Sequence, residues 1–365
     1  MAILVTGGAG FIGSHTCLEL LRRGYHVVVA DDYSNSSPTA LAAVREVSGL
    51  DLTAYEMDVR DQGALDQVFT EHHVDAVIHF AARKSVRESV DVPLDYYGTN
   101  VACTISLIKT MLEHDVHRLV FSSSCSIYGD RYSRPIAEGD EPGPTNPYAR
   151  SKLICEQILD DTCRAHPRLS VIALRYFNPI GAHPSGLVGE DPRGVPGNVL
   201  PFMMQVAVGR RARLDIYGDD YGTPDGTGVR DYIHVMDVAE AHCVALDHTR
   251  TETGKQAFNL GTGCGVSVLQ LLATFQEISG TSIPYQIVGR KRGDVATLIA
   301  DPRRVEERWG WRTARDLPVM CRDAWRFQSL HPGGYPLSGG AGGRPPQAKT
   351  VIPDSGNVGI KCASL

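Results

Sequence analysis

A chain of 365 residues, 42% apolar and 21% charged, is long enough for about two folded domains and has the makeup of an ordinary water-soluble protein. Its net charge of −6 argues against a general nucleic-acid-binding surface, and no apolar run approaches the roughly 20 residues that span a bilayer. Nine scattered cysteines, odd in number and without a CxxC pair, suit reduced thiols in a cytosolic protein better than a disulfide frame or a zinc site.

The first expected element is a strand, Ala2 to Val5, too short and too early to be a signal peptide. It runs into a loop with Gly7, Gly10 and Gly13 spaced three apart, and a helix opens at Phe11 and Ile12. Missing side chains let the backbone bend and approach a ligand. The new helix aims free N–H groups and its positive dipole end at that ligand, and a pyrophosphate fits best. A second apolar run, Tyr25 to Ala30, ends at Asp31 and Asp32. A carboxylate about 20 positions past the glycines accepts hydrogen bonds from ribose hydroxyls, and its charge repels a 2′-phosphate. The cofactor expected is therefore NAD and not NADP.

Further strands are expected at Leu52–Met57, Ala76–Phe80, Leu119–Ser122 and Val171–Arg175. Helices are expected at Leu65–Thr70, through Ile105, Ile108 and Leu112, and at Leu153–Cys163. Repeated βα units with apolar strands predict an α/β fold: a Rossmann-type doubly wound parallel sheet covered on both faces. Ligands bind such a sheet at the carboxyl ends of its strands. Those ends are Thr6, Asp31, Asp58, Phe80-Ala81-Ala82, Ser122-Ser123-Ser124 and Tyr176-Phe177-Asn178. Asp58 is placed to reach adenine, and the two alanines allow close passage of the cofactor.

The chemistry is expected in Ser124 and in Tyr148 and Lys152, which stand four apart on a helix and share one face. A phenol with an ordinary pKa of about 10 is a poor base at neutral pH. A nearby ammonium, helped by a positive nicotinamide ring, is expected to bring it down. Ser124, at a neighbouring strand end, relays or holds the same substrate proton. No metal site is expected.

Several long stretches carry a resemblance: LVTGGAGFIGSHT, VIHFAA with Lys84, FSSSCSIYGD, NPYARSK, LRYFNPIGAHPSG, GTGVRDYIHVMDVA, FNLGTG and HPGGYP. From residue 1 to about 336 the chain resembles the extended short-chain dehydrogenase/reductase superfamily, and within it the family of UDP-glucose 4-epimerases. The resemblance implies reversible C4 epimerisation of UDP-galactose and UDP-glucose. Tyr148 takes the 4-hydroxyl proton, a 4-keto sugar turns over in the site, and hydride held by NAD returns to the opposite face. For NAD it implies contacts from Gly7, Gly10, Phe11, Ile12, Gly13, Asp31, Asn35, Asp58, Val59, Phe80, Ala81, Lys84, Asn100, Ser122, Tyr148, Lys152 and Tyr176. For the UDP-sugar it implies Lys84, Ser124, Tyr148, Asn178, Asn198, Leu200, Tyr217, Arg230, Lys291, Asp294 and Leu298. Read on its own, Arg230 beside Asp231 is equally a local ion pair. The resemblance also implies a homodimer joined through helices around 93–114 and 149–166, whose apolar positions Ile105, Ile108 and Leu112 are equally explained by packing on the sheet.

Three positions depart from or bear on the family pattern. Lys291 replaces the usual arginine and binds phosphate as a point charge without the bidentate fork. Thr99 replaces an asparagine that often helps hold NAD, and Leu298 stands where pocket size is set. Leucine is intermediate in size, so UDP-glucose and UDP-galactose are favoured, with UDP-N-acetylhexosamines the alternative. A second alternative is a non-catalytic NAD-sensing scaffold. A 4,6-dehydratase needs an acid–base pair where this chain has Cys125 and Ser126. The expected division is 1–177 for NAD, 178–336 as a smaller α/β domain for the UDP-sugar with some chain exchange, and a disordered Gly/Pro-rich tail at 337–365.

Overall fold

Each apolar run of the first half becomes a parallel strand because it is covered on both faces. The computed structural model describes residues 1–290 and 294–335; Lys291 and the 337–365 tail lie outside the described residues. In chain order the strands are β1 (Ala2–Thr6), β2 (His26–Asp31), β3 (Thr53–Glu56), β4 (Val74–His79), β5 (Arg118–Ser122), β6 (Ser170–Tyr176) and β7 (Asn178–Ile180). They continue with β8 (Leu214–Tyr217), β9 (Val229–His234), β10 (Gly254–Leu260), β11 (Gly265–Ser267), β12 (Tyr285–Val288) and β13 (Thr297–Leu298).

The main sheet has seven strands in the order β10-β6-β5-β4-β1-β2-β3, and every pair is parallel. Alternate side chains of β1 enter different cores. Ile3 and Val5 pack with helices Phe11–Arg22, Pro38–Ser48 and Val235–His248, whereas Leu4 packs with helices Gln62–His72, Ala102–Glu113 and Pro147–Ala165. Strand order turns back between β1 and β4, so a crevice opens at their carboxyl ends, where open α/β sheets bind ligands.

The expected strands and helices of the first half are all present, with ends shifted by a few residues. Strand β10 was not expected. Its residues Gly254 to Ala257 are only half-buried at the sheet edge, so no continuous apolar run announces it. The second half also builds smaller sheets: β9 pairs with β7, β11 and β13, and β12 with β8. Helices Val199–Ala207, Val268–Ser279 and Leu317–Leu330 pack there around Leu200, Met203, Leu271, Phe275 and Met320. No helix among the described residues is long and apolar enough to cross a membrane.

One ionic network sits behind the sheet's carboxyl edge. Arg175 on β6 forms a two-pronged bond to Glu156, Nε–Oε1 2.9 Å and Nη2–Oε2 2.6 Å, with the two side chains 7% and 2% exposed. Ser123 donates to the same carboxylate at 2.5 Å and Lys255 at 3.3 Å. Desolvation alone raises the Glu156 pKa, but these cations and donors outweigh it and hold it down to about 2. A depressed carboxylate adds stability above its ordinary value near 4.5 and loses it as pH falls towards 2. Glu156→Ala, which strands Arg175 in the interior, is expected to cost about 3–5 kcal/mol. Denaturant melts at pH 7 and pH 3 check this, the gap between variant and parent narrowing at the lower pH.

Candidate active site

Gly7 adopts φ +70°, and a Cβ there would lie 2.7 Å from the Ala81 nitrogen across the crevice between β1 and β4. At Gly13 a Cβ would lie 2.3 Å from the Gly7 carbonyl oxygen. The helix Phe11–Arg22 starts at Gly10 with no side chain capping it, so its first N–H groups face the crevice with the dipole behind them. Asp31 ends β2 nearly buried and accepts from Ala9 N at 2.9 Å, Tyr33 N at 3.0 Å and Ser36 Oγ at 2.7 Å. Burial pushes its carboxyl up, and these donors pull the other way. Asp31 therefore also ties the glycine loop to the strand end. These features fit a dinucleotide: a cradle that a Cβ would fill, an open helix end and a carboxylate one strand away.

The other expected cofactor residues line the same edge with partners of their own. Asp58 is paired with Arg60, Nη2–Oδ2 2.5 Å, beside buried Val59. Asn35 is exposed, and Phe80 packs its ring 4.7 Å from His242. Phe80 N and Ala81 N both donate to the Thr6 carbonyl, at 2.9 and 3.1 Å. Asn100 lies in a π-helical turn, Tyr97–Val101, that also carries Thr99. Its amide binds Arg83 N at 2.8 Å and Ser151 Oγ at 2.9 Å, which sets the loop bearing Lys84.

The catalytic candidates meet at the end of β5. Asn146 caps the helix Pro147–Ala165 by accepting from Ala149 N at 2.9 Å, and Pro147 fixes its first turn. Lys152 is buried and donates from Nζ to the Ser122 carbonyl at 2.7 Å, while Ser122 Oγ is bonded to the Tyr176 hydroxyl. Ser124 caps the short turn Cys125–Tyr128, and its Oγ lies 2.9 Å from Ser126 Oγ. Tyr148 stands one helical turn before Lys152, and the neighbouring Ser124 side chain favours its ionised form. The protein's own groups leave the phenol high. Burial pushes Tyr148 up to about 12 despite Ser124, and burial brings Lys152 down to about 8. Cys125 is 5% exposed and its thiol is pushed up to about 12, also by burial, so it serves neither as acid nor as base.

Of the candidates in the second half, Leu298 reaches the Ser124 turn, and the others stand on that half's own elements. Asn178 opens β7, and its side-chain Oδ1 is buried without a hydrogen-bond partner. Arg230 on β9 pairs with Asp294, joining two expected substrate residues, and donates to the Val229 carbonyl at 2.8 Å. Its sequence neighbour Asp231 is instead buried and accepts from Thr262 N at 2.8 Å, Gly263 N at 3.0 Å and Ala300 N at 3.1 Å. The local ion pair that the sequence allowed is thus replaced by a loop staple. Leu298 on β13 is 7% exposed and packs with Cys125, Ile127, Phe177 and Leu153, so it borders both the Ser124 turn and the Tyr148 helix. Leu200 is buried in the second core, whereas Tyr217 ends β8 well exposed. Lys84 Nζ and Asn198 Nδ2 both donate to Glu190 Oε1 at 3.3 Å.

Sequence reasoning missed Glu190, and it missed His79, whose Nδ1 lies 2.6 Å from Thr6 Oγ1 under the glycine loop. Neither stands in a spacing that announces a partner. His79 had one usable signal, a polar residue at the end of an apolar strand.

Comparison with known proteins agrees with this arrangement. A model of the family described as "NAD dependent epimerase/dehydratase family" matches residues 3–261. The chain is 52% identical over 335 residues to a UDP-glucose 4-epimerase of Bacillus subtilis, covering 92% of this chain and 99% of that relative. The structure is similar to the UDP-glucose 4-epimerase of Bifidobacterium longum in complex with NAD+ and UDP, with TM-score 0.89, 46% identity, and 92% and 100% of the two chains covered. It is also similar to the UDP-Glc/GlcNAc 4-epimerase of Campylobacter jejuni, with TM-score 0.78, 34% identity, and coverage of 90% and 99%.

The glycine loop yields a direct test. Gly13→Ala forces the loop off the Gly7 carbonyl and is expected to weaken dinucleotide binding about tenfold to a hundredfold, from the roughly 1–3 kcal/mol that overpacking costs. Titration calorimetry with NAD checks it, and unchanged affinity would show that the cradle is not the pyrophosphate site.

Proposed function

Because the chain belongs to the NAD dependent epimerase/dehydratase family, we propose that it interconverts UDP-galactose and UDP-glucose by inverting the sugar at C4, with NAD as its resident cofactor. The observation that carries the reading is the meeting of Ser124, Tyr148 and Lys152 beside the glycine cradle. When bound, NAD supplies the oxidising and then the reducing equivalent at C4. The chain's own residues handle the proton, the nucleotide and the space in which the keto sugar turns.

Tyr148 takes the proton from O4 and returns it after the sugar has turned, with Ser124 sharing the hydrogen bond. A phenol held up at about 12 needs positive charge to act as a base. Lys152 supplies part of it: at about 8 it is still mostly charged at neutral pH, and the Ser122 carbonyl fixes its position. The orphaned Asn178 Oδ1 is an acceptor in want of a donor, as a sugar hydroxyl or a uracil N–H provides. Arg230, with Asp294 as internal counter-charge, is the cation for the diphosphate. Cys125, buried and undissociated, supports epimerisation over dehydration.

The division of labour follows the same reading. Residues 1–177 hold NAD and 178–336 hold the UDP-sugar, with Val235–His248 and β10 crossing back to the large sheet. The protein acts in the cytoplasm as a homodimer through helices around 93–114 and 149–166. Val90, Val92, Leu94 and Ile105 support this, for they expose apolar side chains along that face and Leu94 is 81% exposed.

Two substitutions test the chemistry. Tyr148→Phe is expected to keep NAD but lose at least about a hundredfold in rate, the scale of a general acid–base group. The assay supplies UDP-galactose and follows UDP-glucose by chromatography; near-normal turnover removes Tyr148 as the base, and net NADH formation removes the epimerase reading. Leu298→Ser enlarges the pocket beside Ser124 and is expected to raise activity on UDP-N-acetylglucosamine relative to UDP-glucose. An unchanged ratio assigns the size limit to another residue.

A further inference from the structure

Resting on the reading of Lys84 and Asn198 as nucleotide contacts, we propose that Glu190 is a positioning residue of the diphosphate pocket, holding these two donors from opposite halves of the chain on one point. Its residue is 7% exposed, and its Oε1 accepts from Lys84 Nζ and from Asn198 Nδ2, each at 3.3 Å. Lys84 comes from the loop after β4, and its side chain is 51% exposed. Asn198 precedes the helix Val199–Ala207 and leaves that helix uncapped, its amide turned to Glu190 instead.

The carboxylate is anchored from behind. Gly189 N donates to the Tyr335 hydroxyl at 3.0 Å, and Asp191 Oδ2 accepts from Tyr335 N at 2.8 Å. A Cβ at Gly189 would lie 2.2 Å from the Phe327 ring, so no side chain separates this segment from the C-terminal helix. Both residues flanking Glu190 are therefore pinned while its donors are not.

An ionised carboxylate only accepts hydrogen bonds, and it repels a diphosphate, so Glu190 acts through its two donors and does not touch the ligand. An ammonium has three N–H donors and an amide two. Each gives one to Glu190 and keeps the rest for an incoming oxygen. A half-exposed lysine loses much rotamer freedom when it grips a phosphate, and a lysine already tethered loses less. Glu190 thus moves the ordering of Lys84 and Asn198 from the binding step to folding.

The experiment measures UDP affinity by calorimetry on the NAD-loaded enzyme for Glu190→Ala, Glu190→Gln, Lys84→Met, Asn198→Ala and the pairwise combinations. Glu190→Ala is expected to weaken UDP about threefold to tenfold, the range for losing one pre-ordered side chain. Glu190→Gln keeps an acceptor oxygen and is expected to recover most of that loss. In steady state KM for UDP-galactose rises more than kcat falls. In the Lys84→Met background the further effect of Glu190→Ala shrinks, because one of its two dependants is gone. Unchanged or tighter UDP binding in Glu190→Ala overturns the proposal, as does full additivity with both Lys84→Met and Asn198→Ala. If those two single variants bind UDP as the parent does, the underlying assignment of Lys84 and Asn198 fails and takes the proposal with it. A loss of binding that comes only from a loosened fold lowers the melting temperature and is blind to the Lys84 background, which also counts against it.

Discussion

The bond from Lys152 Nζ to the Ser122 carbonyl, 2.7 Å long and fully inside the protein, is the constraint on which the site depends. It ties the helix Pro147–Ala165 to the carboxyl end of β5, so the tyrosine one turn earlier and the serine two residues beyond the strand come to face each other. A buried ammonium is expensive without a partner, and the Ser122 carbonyl provides one. The next turn of the same helix repeats the device with opposite sign, since Glu156 is held by Arg175, Lys255 and Ser123. A cation and an anion on successive turns thus lock one helix against two adjacent strands.

Burial sets the chemistry as well as the geometry. The same desolvation that raises the Tyr148 phenol lowers the Lys152 ammonium, so the two pKa values move apart, to about 12 and about 8, and burial favours the neutral form of each. Neither side chain acquires catalytic poise from its neighbour alone.

On the substrate side the charges are already neutralised in pairs. Arg230 is on Asp294, and Lys84 with Asn198 on Glu190. Such pairing lets cations sit in a half-buried pocket without a large desolvation cost. Leu298 packs where the two halves meet, against both Cys125 of the catalytic turn and Leu153 of the catalytic helix. A substitution at Leu298 is therefore felt by the Ser124 turn and the Tyr148 helix together.

Strand β1, the glycine loop, Asp31 and the tyrosine–lysine pair were legible in the sequence because each depends on local periodicity or fixed spacing. Alternating burial needs only neighbouring residues, and a backbone that must turn at Gly7 or pass Gly13 needs glycine whatever lies elsewhere. Strand β10 was not legible, because an edge strand is half polar and finds its place only when β6 is there to pair with it. Nor was the fate of Arg230, whose partner is Asp294 and not the adjacent Asp231: the side chains of neighbouring strand residues point to opposite faces, and the choice is made by packing β13 beside β9. Glu190 belongs to the same class, 106 residues from Lys84 in the chain. The sequence by itself determined the inner strands of the sheet, the glycine turn and the shared face of Tyr148 and Lys152, since short-range sterics and periodicity decide those. The tertiary structure alone decided which charges neutralise which and how far burial moves each pKa, because both depend on distances that exist only after the chain has closed on itself.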